Sequence, residues 1–164
     1  MAKLKYLVAH CLLTREGRNY TTEDVLAWHT DPVNRGGFGW KKPGYSDMIY
    51  LDGSLHNLLP FDQDDEVDSW EISNGARGIN GVSRHYAYVG GLDRLGNNKD
   101  TRTKAQKVAE ETYIKYMILR HPDIKVMGHY QAPNTNKTCP NYDVPSWLRS
   151  IGVDEKNIFL FKHK

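Results

Sequence analysis

The sequence contains little of what marks a specialised class of protein. Its 164 residues include two cysteines, Cys11 and Cys139, which are too few for a disulfide-stapled scaffold. No apolar run approaches the roughly 20 residues that a membrane-spanning helix requires, so an integral membrane protein is excluded. Lysine and arginine number 22 against 20 acidic residues, a balance without the basic excess of a dedicated nucleic-acid binder. We therefore expect neither a nucleic-acid partner nor a membrane partner.

We also expect no secretion signal at the N-terminus. Its apolar stretch is short and passes into a charged segment, whereas a signal peptide has a longer apolar region and a cleavage site. We expect the protein to be cytoplasmic at synthesis. In that reducing compartment a cysteine is a buried apolar side chain, a nucleophile or a metal ligand rather than half of a disulfide.

What is present is the composition of an ordinary globular domain. Hydrophobic residues make up 39% of the chain and charged residues 26%, and no repeat or linker divides it. A chain of this length has room for one compact domain with a sizeable core. We therefore expect a single domain over residues 1–164.

The predicted secondary-structure elements favour an α/β fold. Two short runs around the turn signal Asp52-Gly53 predict a hairpin. Further apolar runs predict strands over residues 5–13, 83–89, 124–130 and 158–161. Hydroxyl caps and helical spacing predict helices over residues 22–30, 103–120 and 144–151. Strands separated by helices predict a central mixed β-sheet flanked by helices.

Three potential zinc ligands lie at or just beyond the ends of predicted strands. His10 is near the end of the first strand, His129 is near the end of strand 124–130, and Cys139 is in the following coil. Two imidazoles and a thiolate form a zinc donor set, and three protein ligands leave the fourth position open, as in catalytic sites. From spacing alone, however, two ordinary sheet histidines and a buried thiol remain the favoured alternative, because separated His and Cys residues form no short motif.

Five short motifs occur in an order that is typical of one family. They are Trp28-His29, Gly39-Trp40-Lys-Lys-Pro-Gly44-Tyr45, Ile49-Tyr-Leu-Asp52-Gly53, Val89-Gly90-Gly91-Leu-Asp93, and Gly128-His129 followed by Lys137-Thr-Cys139-Pro140. Each motif alone is unspecific, but the ordered set is fairly specific. Over residues 5–151 the chain resembles the zinc-dependent N-acetylmuramoyl-L-alanine amidases, the type shared by amidase-type phage lysozymes and peptidoglycan recognition proteins.

The resemblance implies an amidase-like α/β fold and a Zn²⁺ cofactor. It places the zinc ligands at His10, His129 and Cys139, and it assigns Tyr45 and Lys137 to catalysis at the metal. Zinc lowers the pKa of a water that it binds and polarises a carbonyl, which together favour hydrolysis of an amide. A lysine and a tyrosine beside it can stabilise the oxyanion or protonate the leaving amine, and the division between these two tasks stays open.

The activity implied by the resemblance is hydrolysis of the amide bond between N-acetylmuramic acid and L-alanine in peptidoglycan. We expect residues 1–164 to be one catalytic amidase domain of a phage or prophage endolysin, which reaches the cell wall after release through a partner. A cytoplasmic recycling amidase and an exported toxin are the alternatives in the same class. A peptidoglycan-binding module without hydrolytic activity is the alternative in another class, although such modules commonly lack the cysteine ligand.

A protein partner is also implied, by analogy with one relative. A lysozyme of this kind inhibits a phage RNA polymerase, and the resemblance extends that partner to this chain as an alternative. An assay for binding of this protein to a purified phage RNA polymerase tests that alternative.

Three residues outside the metal site are candidates for binding substrate. Trp40 can stack on a sugar or peptide, and Asn74 and Arg77 can bind peptide carbonyls or carboxylates. The stretch that contains the last two departs from the family, which often has a histidine there, so the resemblance does not carry a substrate contact over to them.

Three further residues are expected to support the fold. Cys11 follows His10 on a strand and should therefore face the opposite side of the sheet, in the core. We expect His29 to pack against the loop that carries Trp40. His85, in a central strand, is expected to be a buried histidine with its hydrogen-bonding capacity satisfied.

Overall fold

Five strands form the sheet at the centre of the molecule. The computed structural model describes residues 1–161, and within that range the chain has nine short strands and three α-helices. The strands are β1 (Ala2–Lys3), β2 (Tyr6–Cys11), β3 (Thr14–Arg15), β4 (Asp47–Ile49), β5 (Leu55–Asn57), β6 (Glu66–Val67), β7 (Ser83–Tyr88), β8 (Gly91–Leu92) and β9 (Lys125–Gly128). The helices are α1 (Thr22–Thr30), α2 (Lys104–Arg120) and α3 (Val144–Ser150).

The central sheet has the strand order β5-β4-β7-β2-β9. Strand β2 lies between β7 and β9 and is parallel to both, and β4 is parallel to β7. The predicted hairpin is formed by β4 and β5, which are antiparallel. The predicted α/β class with a mixed sheet is therefore confirmed. The carboxyl ends of its parallel strands lie along one edge, which is where ligand sites form in such sheets.

Strand β2 is buried on both faces because it is an inner strand of the sheet. Leu7 and Ala9 belong to the larger hydrophobic cluster, which contains Ile114 of α2. Val8 belongs to a smaller cluster on the other face, with Met127 of β9. A strand covered on both faces requires a nearly continuous apolar run, which is the pattern that predicted it.

Capping boxes fix the starts of the two longer helices. The Thr21 side chain accepts a hydrogen bond from the Asp24 N–H, and the Asp24 carboxylate accepts one from the Thr21 N–H. Thr103 and Gln106 make the same reciprocal pair at the start of α2. These caps satisfy N–H groups that the first turn leaves unpaired, and both helix starts agree with the prediction. Within residues 1–161, none of the helices combines the length and apolarity needed to cross a membrane.

A buried ion pair holds α2 against the sheet. Arg84 of β7 donates to both carboxylate oxygens of Asp47 on β4, over 2.7 and 2.9 Å. The Tyr113 hydroxyl of α2 donates to the same carboxylate over 2.6 Å. A buried charge is tolerated only where partners replace its hydration, so removing one member would leave the others uncompensated.

The last predicted strand is shorter in the structure than in the prediction. Of residues 158–161, only Ile158 forms a bridge, to Val126 of β9, and Phe159 donates its N–H to the Val126 carbonyl over 3.0 Å. Leu160 and Phe161 are exposed and leave the sheet. The edge-strand prediction is therefore wrong beyond that bridge.

Candidate metal centre

The three predicted ligands meet at the carboxyl edge of the sheet. Strands β2 and β9 are parallel neighbours, so His10 near the end of β2 lies beside His129, which directly follows β9. Their ring centroids are 4.5 Å apart. One potential ligand atom from each of His10, His129 and Cys139 lies within 4.8 Å of the others. The structure therefore brings together all three residues that the sequence nominated.

Cys139 reaches the edge of the sheet through the loop that follows β9. The Tyr130 N–H donates to the Cys139 carbonyl over 2.9 Å, which closes the loop back onto the residues after the strand. The Cys139 sulfur accepts a hydrogen bond from the Cys11 N–H over 3.1 Å and lies 3.7 Å from the Cys11 sulfur. Cys11 is buried in the larger hydrophobic cluster, as predicted, and it also borders the cleft that contains His10 and Cys139.

Burial sets the protonation states of the three ligands. It is the main cause that lowers the pKa of His10 well below its ordinary value, with the neighbouring His129 and His85 adding to the effect. It also lowers the pKa of His129 to about 4, assisted by the charge of Lys137. Both imidazoles are therefore neutral at pH 7, which is the form that binds a metal ion.

Unlike the neutral imidazoles, the Cys139 thiol must lose its proton before it can bind a metal ion. Burial raises its pKa well above the ordinary value, and the neighbouring Cys11 thiol raises it further, whereas the hydrogen bond from the Cys11 N–H lowers it. Without a cation the sulfur keeps its proton. A divalent cation between the three residues can take the place of that proton, since a thiol that ligates a metal is deprotonated. The donor set of two neutral imidazoles and one thiol fits a zinc ion.

The metal-ligand cluster lies in a cleft of about 340 Å³. Helix α1, the loop over residues 38–45, and residues 129–139 provide most of its walls. Of the other predicted site residues, the lining includes Tyr45, Lys137, Trp40 and Asn74. Arg77 does not line it.

Tyr45 lies directly against the ligand cluster. Its ring centroid is 5.1 Å from that of His10, and its hydroxyl donates a long hydrogen bond of 3.5 Å to the Cys11 carbonyl. Burial raises the pKa of Tyr45 far above its ordinary value, and the nearby cysteines raise it further. The hydroxyl therefore stays protonated at neutral pH and is available to donate a hydrogen bond or a proton.

Lys137 lies at the mouth of the same cleft. Its side chain is exposed, and its positive charge contributes to the lowered pKa of His129. The ammonium group is thus close enough to the ligands to act electrostatically on them. A cation in this position favours negative charge that develops on a substrate in the cleft.

An aromatic wall faces the ligands from α1 and the following loop. His29 stacks on Trp40, with ring centroids 5.1 Å apart, and its Nδ1 accepts a hydrogen bond of 3.0 Å from the Gly44 N–H. A Cβ atom at position 44 would lie 3.1 Å from the His29 ring, so glycine permits this close packing. The prediction that His29 packs against the Trp40 loop is confirmed. Trp40 lines the cleft and is 38% exposed.

Of the two polar candidates for substrate binding, Asn74 lines the cleft and Arg77 does not. Asn74 is at the cleft, where its side-chain N–H donates to the Lys42 carbonyl over 3.2 Å and ties two loops together. Arg77 is exposed on a turn in which the Ile79 N–H donates to the Ala76 carbonyl over 3.2 Å. Because that turn directs Ala76 and Ile79 into the core, Arg77 between them points to solvent and not into the site.

His85 belongs to the site, although the sequence predicted an ordinary satisfied histidine. Its Nδ1 lies 3.0 Å from His10 Nε2, within hydrogen-bond distance, while its buried Nε2 has no partner. His85 is paired with Val8 in the sheet register, so its side chain is on the same face as His10, on the neighbouring strand. The spacing of His10 and His85 along the chain contains no signal of this contact, which depends on the register alone.

Known proteins are similar to this chain in sequence and in fold. No family model matches the chain. The endolysin of Enterobacteria phage K11 is 26% identical over 142 residues, covering 86% of this chain and 83% of the relative. The structure is similar to bumblebee PGRP-SA, with a TM-score of 0.67, 18% identity, and coverage of 98% of this chain and 87% of the other. It is also similar to the N-acetylmuramoyl-L-alanine amidase LysC of Clostridium intestinale, with a TM-score of 0.65, 17% identity, and coverage of 93% and 88%.

Proposed function

We propose that this chain, which is similar in sequence to a phage endolysin and in fold to an N-acetylmuramoyl-L-alanine amidase and a peptidoglycan recognition protein, is a phage endolysin that hydrolyses bacterial peptidoglycan. The bond cleaved is the amide between N-acetylmuramic acid and L-alanine, and residues 1–164 form one catalytic domain. The observation that carries the proposal is the cluster of His10, His129 and Cys139 at the floor of a cleft that a substrate can enter.

A zinc ion is the cofactor of the proposed reaction. His10 and His129 would bind it as neutral imidazoles, and Cys139 would bind it as a thiolate that the Cys11 N–H stabilises. Three protein donors leave a coordination position for a reactant, as catalytic zinc sites require. When bound, zinc supplies Lewis acidity toward water and toward the amide carbonyl.

Two side chains act on the substrate in this proposal. The Lys137 ammonium, charged and exposed at the cleft, stabilises negative charge on the carbonyl oxygen of the scissile amide. The Tyr45 hydroxyl, which burial keeps protonated, donates a hydrogen bond to the same oxygen or a proton to the leaving amine. Trp40 offers a partly exposed aromatic ring to a sugar or peptide, and Asn74 lines the same cleft.

The proposed function also involves a substrate in the cell wall and a partner that releases the protein. The substrate is the muropeptide portion of the cell wall, and the protein reaches it after release through a partner. Inhibition of a phage RNA polymerase stays a prediction by analogy.

Identification of the new ends in digested peptidoglycan tests the proposed bond. Purified peptidoglycan is incubated with the protein, and the products are analysed by mass spectrometry. The proposal predicts free lactyl groups on muramic acid and new amino termini on L-alanine, in equal amounts. Reducing sugar ends or cleaved cross-links would show a different hydrolase, and binding without new ends would show a recognition module.

A further inference from the structure

The contact between His85 and His10 restricts which nitrogen of His10 can bind a metal ion. His10 Nε2 and His85 Nδ1 are 3.0 Å apart, and both rings are almost completely buried. Each neutral imidazole carries one N–H and one unprotonated nitrogen. One ring must therefore donate to the other across this contact.

The direction occupied by this hydrogen bond is closed to a metal ion. A ring nitrogen has a single in-plane lone pair, and zinc lies about 2.0 Å from the nitrogen that it binds. A nitrogen of a second ring at 3.0 Å along the same direction leaves no room for an ion between the two. While the contact with His85 persists, Nδ1 is the nitrogen of His10 that remains for zinc.

The orientation of the His85 ring is fixed by the loop above it. A Cβ atom at position 75 would lie 2.3 Å from His85 Nδ1 and 2.8 Å from the Gly44 carbonyl oxygen, so Gly75 packs directly on the ring. The His85 backbone is held by Ser46, whose N–H donates to the His85 carbonyl over 2.7 Å. The ring is thus packed in place with Nδ1 toward His10.

We propose that His85 is a positioning residue, which rests on the proposed zinc site: its Nδ1 accepts a hydrogen bond from the His10 Nε2–H and thereby presents His10 Nδ1 to the zinc ion. The proton of His85 is then on Nε2, the buried atom that has no partner among the described residues. Buried polar atoms without partners are rare, and here the unpaired atom is a consequence of using the other nitrogen to orient a ligand.

The ring tautomers of the zinc-loaded protein test the proposal directly. Long-range ¹H–¹⁵N spectra distinguish protonated from unprotonated ring nitrogens and do not depend on activity. We expect His10 to be protonated at Nε2 with Nδ1 bound to metal, and His85 to be protonated at Nε2. A His10 ring that binds zinc through Nε2 would overturn the proposal.

Zinc affinity in three variants gives a second test. His85→Leu removes the acceptor at similar volume, and we expect zinc to bind roughly 10–100-fold more weakly, the effect typical of losing a group that orients a ligand. His85→Asn keeps an acceptor near the position of Nδ1 and should restore most of the affinity. His121→Leu is the matched control, because His121 is also buried with an unpartnered Nε2 but bonds Asp65 away from the cleft.

The zinc affinities of the parent and of His85→Leu distinguish a failure of the His85 assignment from a failure of the proposed metal site. Equal zinc affinity in the parent and in His85→Leu would overturn the assignment of His85 alone. A parent that binds no zinc would overturn the metal site, and the assignment of His85 with it. If His85→Leu does not fold, the tautomers of the parent protein still decide the question.

Discussion

The N–H of Cys11 donates a hydrogen bond of 3.1 Å to the sulfur of Cys139. Two neighbouring residues therefore contribute to the metal site. His10 provides a ring nitrogen as a ligand, and the backbone N–H of Cys11 hydrogen-bonds the sulfur of another ligand. A hydrogen bond to a charged sulfur favours the thiolate over the thiol, which is the form that binds zinc. The end of β2 therefore positions two of the three proposed ligands.

Cys139→Ser should lose zinc and activity together. A serine hydroxyl keeps its proton at neutral pH and is a poor zinc ligand, whereas the thiolate is a strong one. Metal content by elemental analysis and hydrolysis of peptidoglycan should both fall close to background. Cys11→Ala is the matched control, because it removes the neighbouring sulfur but keeps the backbone donor, and it should retain zinc while losing roughly 1–2 kcal/mol of stability from the core. Zinc retained in Cys139→Ser would show that the ligand set is misplaced.

Lys137→Ala should leave zinc bound and slow hydrolysis by roughly 10²-fold, the scale of losing a group that stabilises an oxyanion. It should also raise the pKa of His129 in the metal-free protein above its value of about 4, because the lysine charge disfavours the imidazolium. NMR titration of His129 measures this shift independently of activity. Lys115→Ala, on the outer face of α2 where Lys115 pairs with Glu111, is the control and should change neither property. Hydrolysis at the parent rate would remove Lys137 from the mechanism.

Tyr45→Phe should retain the fold and the metal and lose turnover. The substitution keeps the ring packed beside His10 and removes only the hydroxyl, so turnover should fall by roughly 10²-fold, the scale of losing an acid–base group or oxyanion donor. The affinity for muropeptides, measured by calorimetry with a fragment that is not cleaved, should stay close to the parent value. Tyr116→Phe, at an exposed residue of α2 whose hydroxyl donates to Gln63 away from the cleft, serves as the control. An unchanged turnover in Tyr45→Phe contradicts the proposed role.

The fold was largely predictable because its signals are local. The capping residues Thr21 and Thr103 and the apolar run of β2 each specify one element without reference to the rest of the chain. Strand 158–161 was overpredicted, since an apolar run at a chain end does not show whether it continues to pair with the sheet.

The site was predictable only in part. His10, His129 and Cys139 were nominated through the family resemblance, because their spacing alone favoured ordinary buried residues. The contact of His85 with His10 depends on the register between β2 and β7, and the register is not encoded in either strand alone. The chemistry of Arg77 favours a substrate contact, but the residue is exposed on a turn and does not line the cleft.

Removal and return of zinc is the most direct test of the central claim. The protein is stripped with a strong chelator, its metal content is verified, and the release of L-alanine amino termini from purified peptidoglycan is measured before and after zinc is added. We expect about one zinc per chain in the active protein, no release from the metal-free protein, and recovery of release when zinc is added. Full activity in the verified metal-free protein would contradict this expectation.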